Sequence, residues 1–380
     1  MDAIIFSDKS MCSQYQFESG VNEYFFIISS EAGLGFEESL KQVYEELQSK
    51  LWEFDISSRD LAFSRSYFND ITNQYSLYEG SPLQKFCQHG ASSSIQQEML
   101  FKGFSILFYF IKNPEQSKES LDTSVFLQGK NYNQLWTGGL QSGGVLDSEV
   151  QSDAIFADYM KQLNAKKMNL HDHTIRTWIY VRDVDNHYAG MVKSRRELFL
   201  EEGMVSKFPA STGIEAQMAE PSSLMSMDAF SIKGIVPEQV IRMEAPENLC
   251  PTMDYAVTFE RGINVCYGDR SHIYISGTAS IDNKGEVVHP NNAGKQTERT
   301  LENIKALLEP QNARLGDMAY LLIYLRNFSD RDRVKEVVDA TVPSAIPRIY
   351  LKAPVCRPGW LVEIEGEAIL KASTAYPDFI

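Results

Sequence analysis

Two charged residues near the end of this 380-residue chain could do chemistry together. Arg348 stands in Ala345-Ile346-Pro347-Arg348, and Glu363 follows fifteen residues later in Trp360-Leu361-Val362-Glu363-Ile364-Glu365. A guanidinium offers a planar fork to a carboxylate, which suits substrate anchoring. A carboxyl in a partly buried site can give or take a proton, because burial raises its pKa. The bland alternatives are a salt bridge for Arg348 and a solvated strand face for Glu363, shared with Glu365 and Glu367. Cys356 lies between them with no histidine evident beside it, so it reads as a small pocket wall rather than a nucleophile. Arg176 and Arg195 could add a second anion clamp, or decorate a strand and a helix. Glu215 is a further carboxylate without an assigned partner, and Gly277 permits close approach of a backbone.

These residues need elements to position them. An apolar strand from His272 to Ser280 runs into Gly277, a helix pattern follows from Gln296 to Leu308, and an apolar run spans Met318 to Leu325. The order is strand, helix, strand, helix, strand. In the last strand Glu363 and Glu365 share one face, and Val362 and Ile364 the other, because strand side chains alternate.

The pattern recurs upstream. In the middle, Leu135-Trp136-Thr137-Gly138-Gly139 is the strand that meets glycine. Ile155, Phe156, Tyr159, Met160 and Leu163 mark one face of a helix over Asp153 to Asn164. Ile175 to Val181 alternates as a strand, and a second helix pattern, Tyr188 to Glu201, leads to Ala210-Ser211-Thr212-Gly213-Ile214. Near the start, Tyr24 to Ile28, Phe36 to Trp52, Leu61 to Phe68 and Ala91-Ser92-Ser93-Ser94-Ile95 repeat the series. The short segments align with Ala345-Ile346-Pro347-Arg348-Ile349, and only that third copy carries the arginine. Three units are expected, at residues 1–115, 124–237 and 250–372, with the polar stretches Asn113 to Thr123 and Glu238 to Pro251 as linkers.

The tail resembles the RidA/YjgF superfamily through its Ser276-Gly277 strand end, the Gln296 to Asn303 helix, Pro347-Arg348 and Glu363. The middle and tail together are similar to the chorismatase branch, which includes pteridine-dependent deoxygenase-like proteins. The matching residues are Arg176-Thr177-Trp178-Ile179-Tyr180, Tyr188, Arg195, Phe199, Phe208 to Ile214, Thr258-Phe259-Glu260-Arg261, Ile275 to Ile281, His289-Pro290, and Gln296, Thr300 and Asn303. The resemblance implies an α+β fold of three tandem RidA/YjgF-like (chorismate mutase-like) units, closed as an intramolecular pseudo-trimer around a central β-barrel. It places Glu363 at the catalytic acid and Cys356 at a position that differs between product subtypes. Two departures point away from chorismate as substrate. Met253 to Thr258 stands where the branch has a substrate loop, and Glu215 stands where it has glycine.

Composition narrows the partners. The 43% hydrophobic and 11% aromatic content is enough for real cores, and the length suggests roughly two or three domains. A net charge of −15, with no basic run, excludes a nucleic-acid partner. The five scattered cysteines read as reduced thiols of a cytoplasmic protein. His171 and His173 suit a solvated turn, so no metal is expected. The first residues lack the basic region and apolar core of a signal peptide, and no apolar run reaches the ~20 residues of a membrane span.

The leading expectation is therefore a cofactor-independent enzyme acting on a small carboxylate by chorismatase-like hydrolase or lyase chemistry. Arg348, Cys356, Gly277, Arg176, Arg195 and Glu215 would bind substrate, and Glu363 would protonate it. An imine or enamine deaminase is the alternative, and a non-catalytic ligand-binding protein the third. With the ring of units closed inside one chain, a monomer or low-order oligomer is expected.

Overall fold

The computed structural model describes residues 4–6, 10–251 and 258–380. Its strands fall into three sheets. The first unit runs β1 (Ile4–Phe6), β2 (Ser10–Tyr15), β3 (Asn22–Ser29), α1 (Phe36–Phe54), β4 (Leu61–Phe68), α2 (Ile71–Tyr78), α3 (Pro82–Cys87), β5 (Ala91–Gln96), β6 (Glu98–Met99) and β7 (Ser105–Lys112). The second runs β8 (Ser117–Ser120), β9 (Ser124–Gln128), β10 (Asn133–Gln141), α4 (Ser148–Ala165), α5 (Leu170–His173), β11 (Thr174–Val181), α6 (Val184–Glu201), β12 (Ala210–Glu215) and β13 (Met225–Lys233). The third runs β14 (Val240–Arg242), β15 (Gly262–Cys266), β16 (Arg270–Ala279), α7 (Ala293–Leu308), β17 (Met318–Leu325), α8 (Arg331–Thr341), β18 (Arg348–Lys352) and β19 (Val362–Lys371).

The sheets share one plan. Their central orders are β3-β7-β4-β5, β10-β13-β11-β12 and β16-β19-β17-β18. Each contains one parallel pair, β4 with β5, β11 with β12 and β17 with β18. A parallel pair needs a crossover, supplied here by α2 and α3, by α6 and by α8. Each sheet also breaks register at the same place, between Leu61 and Phe63, Thr174 and Arg176, and Met318 and Tyr320. The helices follow from apolar spacing and caps. In α7 the residues Leu301, Ile304, Leu307 and Leu308 are buried on one face, and the Asn292 side chain accepts from the Lys295 N–H at the start.

Helices cover the outer face of each sheet, and the inner faces pack on one shared core. Rings meet across all three boundaries: Phe63 on Trp178 at 6.1 Å, Phe230 on Tyr274 at 5.6 Å and Phe25 on Tyr320 at 5.5 Å. A buried ion pair also spans each boundary, Arg65 with Asp228, Arg176 with Glu365, and Arg270 with Glu23. Each such pair fixes the seating of one unit on the next, because separating either partner would strand a buried charge.

Two expectations are refined. The units meet as three separate sheets rather than as one closed hydrogen-bonded barrel; they are linked by the β6–β18 pairing and by isolated bridges such as Gln96 with Gln217 and Ile214 with Val355. The two stretches read as linkers also contain edge strands, β8 and β14. The polar Ser117–Ser120 of β8 suits a sheet edge, where one side meets water.

Candidate functional site

Where unit two meets unit three, α6, β12, β16 and β19 enclose a cavity of about 650 Å³. Glu363 lies at its inner wall. Alternation along β19 sends Glu363, Glu365 and Glu367 to the inner face, and all three are buried, Glu363 at 4% exposure. The solvated-face alternative is thereby excluded. Burial, with the neighbouring Glu365 carboxylate, pushes the Glu363 carboxyl up to about 8, against the opposing pull of Arg176 and Arg261. It is a protonated acid at neutral pH.

Gly277 makes room for that acid. A Cβ there would lie 2.3 Å from the Glu363 carboxyl oxygen Oε1 and 3.1 Å from Thr212 Cγ2. Thr212 ties the wall together: its hydroxyl accepts from the Gly277 N–H at 2.9 Å and donates to Glu365. Glu365 also accepts from Arg176 and from the Tyr324 hydroxyl.

Arg195 rises from α6 and is 2% exposed. Its Nε donates to Thr258 Oγ1 at 3.0 Å and one terminal nitrogen to Ser211 Oγ at 3.3 Å. The other terminal nitrogen is buried, with no partner among the described residues. A buried guanidinium with a donor unmatched among the described residues, at a cavity wall, can take an anion's oxygen as its partner. Lys193, Arg196, Arg261 and Arg357 also border the cavity, against the carboxyls of Glu197 and Glu363. Cys356 is a wall: burial pushes its thiol up to about 12, so it is not a thiolate nucleophile. The Tyr188 side chain is hydrogen-bonded to that of Cys356 and its ring packs over Gly213.

Three expected site residues fall elsewhere. Arg348 lies in the cleft between units three and one. Its guanidinium donates to the carbonyls of Ile346 (3.0 Å) and Pro343 and faces Asp339 at 3.4 Å. β17 separates β18 from β19, and Arg348 is level with Leu321 while Glu363 is level with Tyr324. Two strand spacings and three residues put their backbones about 14 Å apart. Each cleft joins the β18-type strand of one unit to the β19-type strand of the next, so these two residues of one unit face different clefts. Arg176 sits in the shared core as the Glu365 partner, not as a substrate clamp. Glu215 accepts from the Val184 N–H at 3.0 Å and stabilises the start of α6. Of the departure at Met253 to Thr258, residues 252–257 lie outside the described residues.

Register also shows what the other units lost. Glu363 pairs with Tyr324, and its counterparts Ser226 and Ser105 pair with Tyr180 and Tyr67. Arg348 corresponds to Ser211 and Ser92, a two-residue shift from the sequence alignment. Only the third unit carries the acid. Arg261, Tyr188, Thr212 and Ser211 belong to the site without having been singled out. Their signal was membership of the segments Tyr188 to Ile214 and Thr258 to Arg261.

Residues 262–370 match the family model described as Endoribonuclease L-PSP. The match lies within the third unit, the one that resembles the RidA/YjgF superfamily in sequence. A 3-aminoacrylate deaminase, RutC of Acinetobacter baylyi, is 28% identical over 134 residues, 35% of this chain and 98% of RutC. The crystal structure of chorismatase covers 96% of this chain and 100% of its own, with a TM-score of 0.63 and 16% identity. The mixed α+β fold with its three sheets is therefore the chorismatase fold. Among the described residues no helix is long and apolar enough to cross a membrane.

Proposed function

We propose that this protein is a cofactor-independent enzyme that protonates an enol ether of a small carboxylate in the cleft between units two and three. The observation that carries the reading is a buried, protonated Glu363 in the same cavity as an Arg195 donor that has no partner among the described residues. Arg195 takes the anchoring role expected of Arg348. Glu363 gives its proton to the enol carbon, and the double-bond electrons form that C–H bond. Water adds to the resulting oxocarbenium carbon and returns a proton to the Glu363 carboxylate. The hemiketal then collapses to a carbonyl and an alcohol. Preorganised charge favours this step, because the positive lining stabilises the anionic substrate while Glu363 stays neutral until transfer.

A second reading is deamination of an enamine, favoured by the likeness of one unit to a protein named as a 3-aminoacrylate deaminase. The same acid would protonate the enamine carbon, and water would displace ammonia from the iminium. Chorismate and an aminoacrylate-type substrate, offered to the wild type and to Glu363→Gln, distinguish the two. Turnover of the first substrate, lost in the variant and falling as pH rises through about 8, supports the enol-ether reading. Turnover of only the second supports deamination, and binding of either without turnover sinks the catalytic reading.

A further inference from the structure

We infer that the cleft between units one and two is a second ligand site, which binds a small uncharged polyol such as a single sugar ring. The inference goes beyond the reading of the Glu363 cleft and does not rest on it. A cavity of about 290 Å³, roughly ten water volumes, lies between α2, α3 and β5 of unit one and β10 of unit two. Strand register makes it the counterpart of the Glu363 cleft. Gly139 stands where Gly277 does, two residues beyond the matching positions Thr137 and Ile275. Ser92, Ser93 and Ser94 stand where Ser211, Thr212 and Gly213 do. The two units also approach closely, since a Cβ on Gly138 would lie 2.7 Å from the Ser92 backbone nitrogen.

Uncharged polar groups replace the charges of the Glu363 cleft. The register position of Glu363 is held by Ser226, whose hydroxyl is buried with no partner among the described residues. Thr123 lines this cleft immediately before β9, as Arg261 lines the other immediately before β15. The crossover helix α3 brings the amides of Gln84 and Gln88, where α6 brings Arg195. Among the described residues that line the cavity none is a lysine, arginine or histidine, and the exposed Asp122 is the one charged group. Asp228, behind this wall, is already matched by Arg65, Ser93 and the Gly139 N–H. The Thr123 hydroxyl accepts from Gln162 at 2.9 Å and keeps its own proton to donate. Hydroxyls and amides both give and accept hydrogen bonds, as the hydroxyls of a polyol do. The half-buried Tyr75 ring, its centre 6.1 Å from that of Tyr78, adds a flat apolar surface for the C–H side of a sugar ring. An anion would find no cation on this wall. An apolar ligand would strip water from the polar groups without replacing its hydrogen bonds.

D-Glucose, D-glucuronate and cyclohexanol are suitable probes, because the second adds a charge and the third removes most of the hydroxyls. Binding is measured by saturation-transfer NMR titration on the full chain, the Gln84→Leu/Gln88→Leu double variant and Arg195→Gln. Near-ultraviolet circular dichroism checks that each is folded. Arg195→Gln removes the anion anchor of the other cleft, so the three probes are ranked on that variant. Glucose is expected to bind at roughly millimolar concentration, and the other two about tenfold more weakly or worse. The double variant should lose roughly tenfold for glucose, because two hydrogen-bonding groups are gone, while Arg195→Gln binds glucose as the wild type does. No glucose binding, or glucuronate binding to Arg195→Gln as tightly as glucose, would overturn the assignment. So would glucose binding kept in the double variant and lost in Arg195→Gln. A glucose-soaked crystal gives a second readout, with density expected beside Ser92 and Ser94.

Discussion

Replacing Glu363 with glutamine should make the protein more stable, and increasingly so as pH rises. The side-chain carboxyl titrates at 4.5 without perturbation and at about 8 in the folded chain. Between those values the native state keeps a proton that the unfolded chain has released. Stability is therefore fully present below about 4.5 and declines as pH rises through about 8. At 1.36 kcal/mol per pKa unit, the loss from this one group grows by about 3 kcal/mol between pH 5 and pH 8. Glutamine keeps the shape and does not titrate, so the stability gap between variant and wild type should widen by that amount. Comparing the two proteins cancels the other titrating groups to first order. Urea denaturation at pH 5, 6, 7 and 8 reads the gap directly, with midpoints converted through a common slope. A gap that stays constant over this range would refute a buried, protonated Glu363, and the proton-donor role would fall with it. The same result would leave the fold and the inter-unit ion pairs untouched.

Arg195→Gln should weaken a carboxylate ligand of the Glu363 cleft by about 1.5–3 kcal/mol, the range for a hydrogen bond to a charged group, while Arg348→Ala leaves that affinity unchanged. Calorimetry on both variants checks this, and the reverse ranking would restore Arg348 as the anchor. Gly277→Ala puts a methyl 2.3 Å from the Glu363 carboxyl and should lower kcat far more than it changes KM, which steady-state kinetics resolves. Iodoacetamide at pH 7 should leave Cys356 unmodified in the folded protein, because its thiol is pushed up to about 12; mass spectrometry of the alkylated chain tests it.

Some of this site was open to reading along the chain. Strand alternation put Glu363 on the face opposite Val362 and Ile364, and the structure keeps that division. The recurrence of strand, helix and strand announced three related units, and the Met318–Leu325 and Leu61–Phe68 strands have the limits their apolar runs suggested. Such features depend on periods of two to four residues, which a one-dimensional reading resolves. The edge strands β8, polar throughout, and β14, only three residues long, escaped it, because neither carries enough alternating apolar residues to show a period.

The sequence by itself therefore determined the units, their order and the strand that carries the acid. Tertiary structure alone decided which residues meet. Arg348 and Glu363 belong to one unit, yet the ring closes so that its two ends serve different neighbours. Arg195 shares a cavity with Glu363 because α6 of unit two and the strands of unit three line it together. The raised pKa of Glu363 depends on burial by two units and on the charge of Glu365. Glu215 is taken by the start of α6, and Arg176 by a carboxylate 189 residues away. Periodicity is local and survives in any short window. Burial and charge pairing are sums over neighbours far apart in the chain, and only the packed ring of units assigns them.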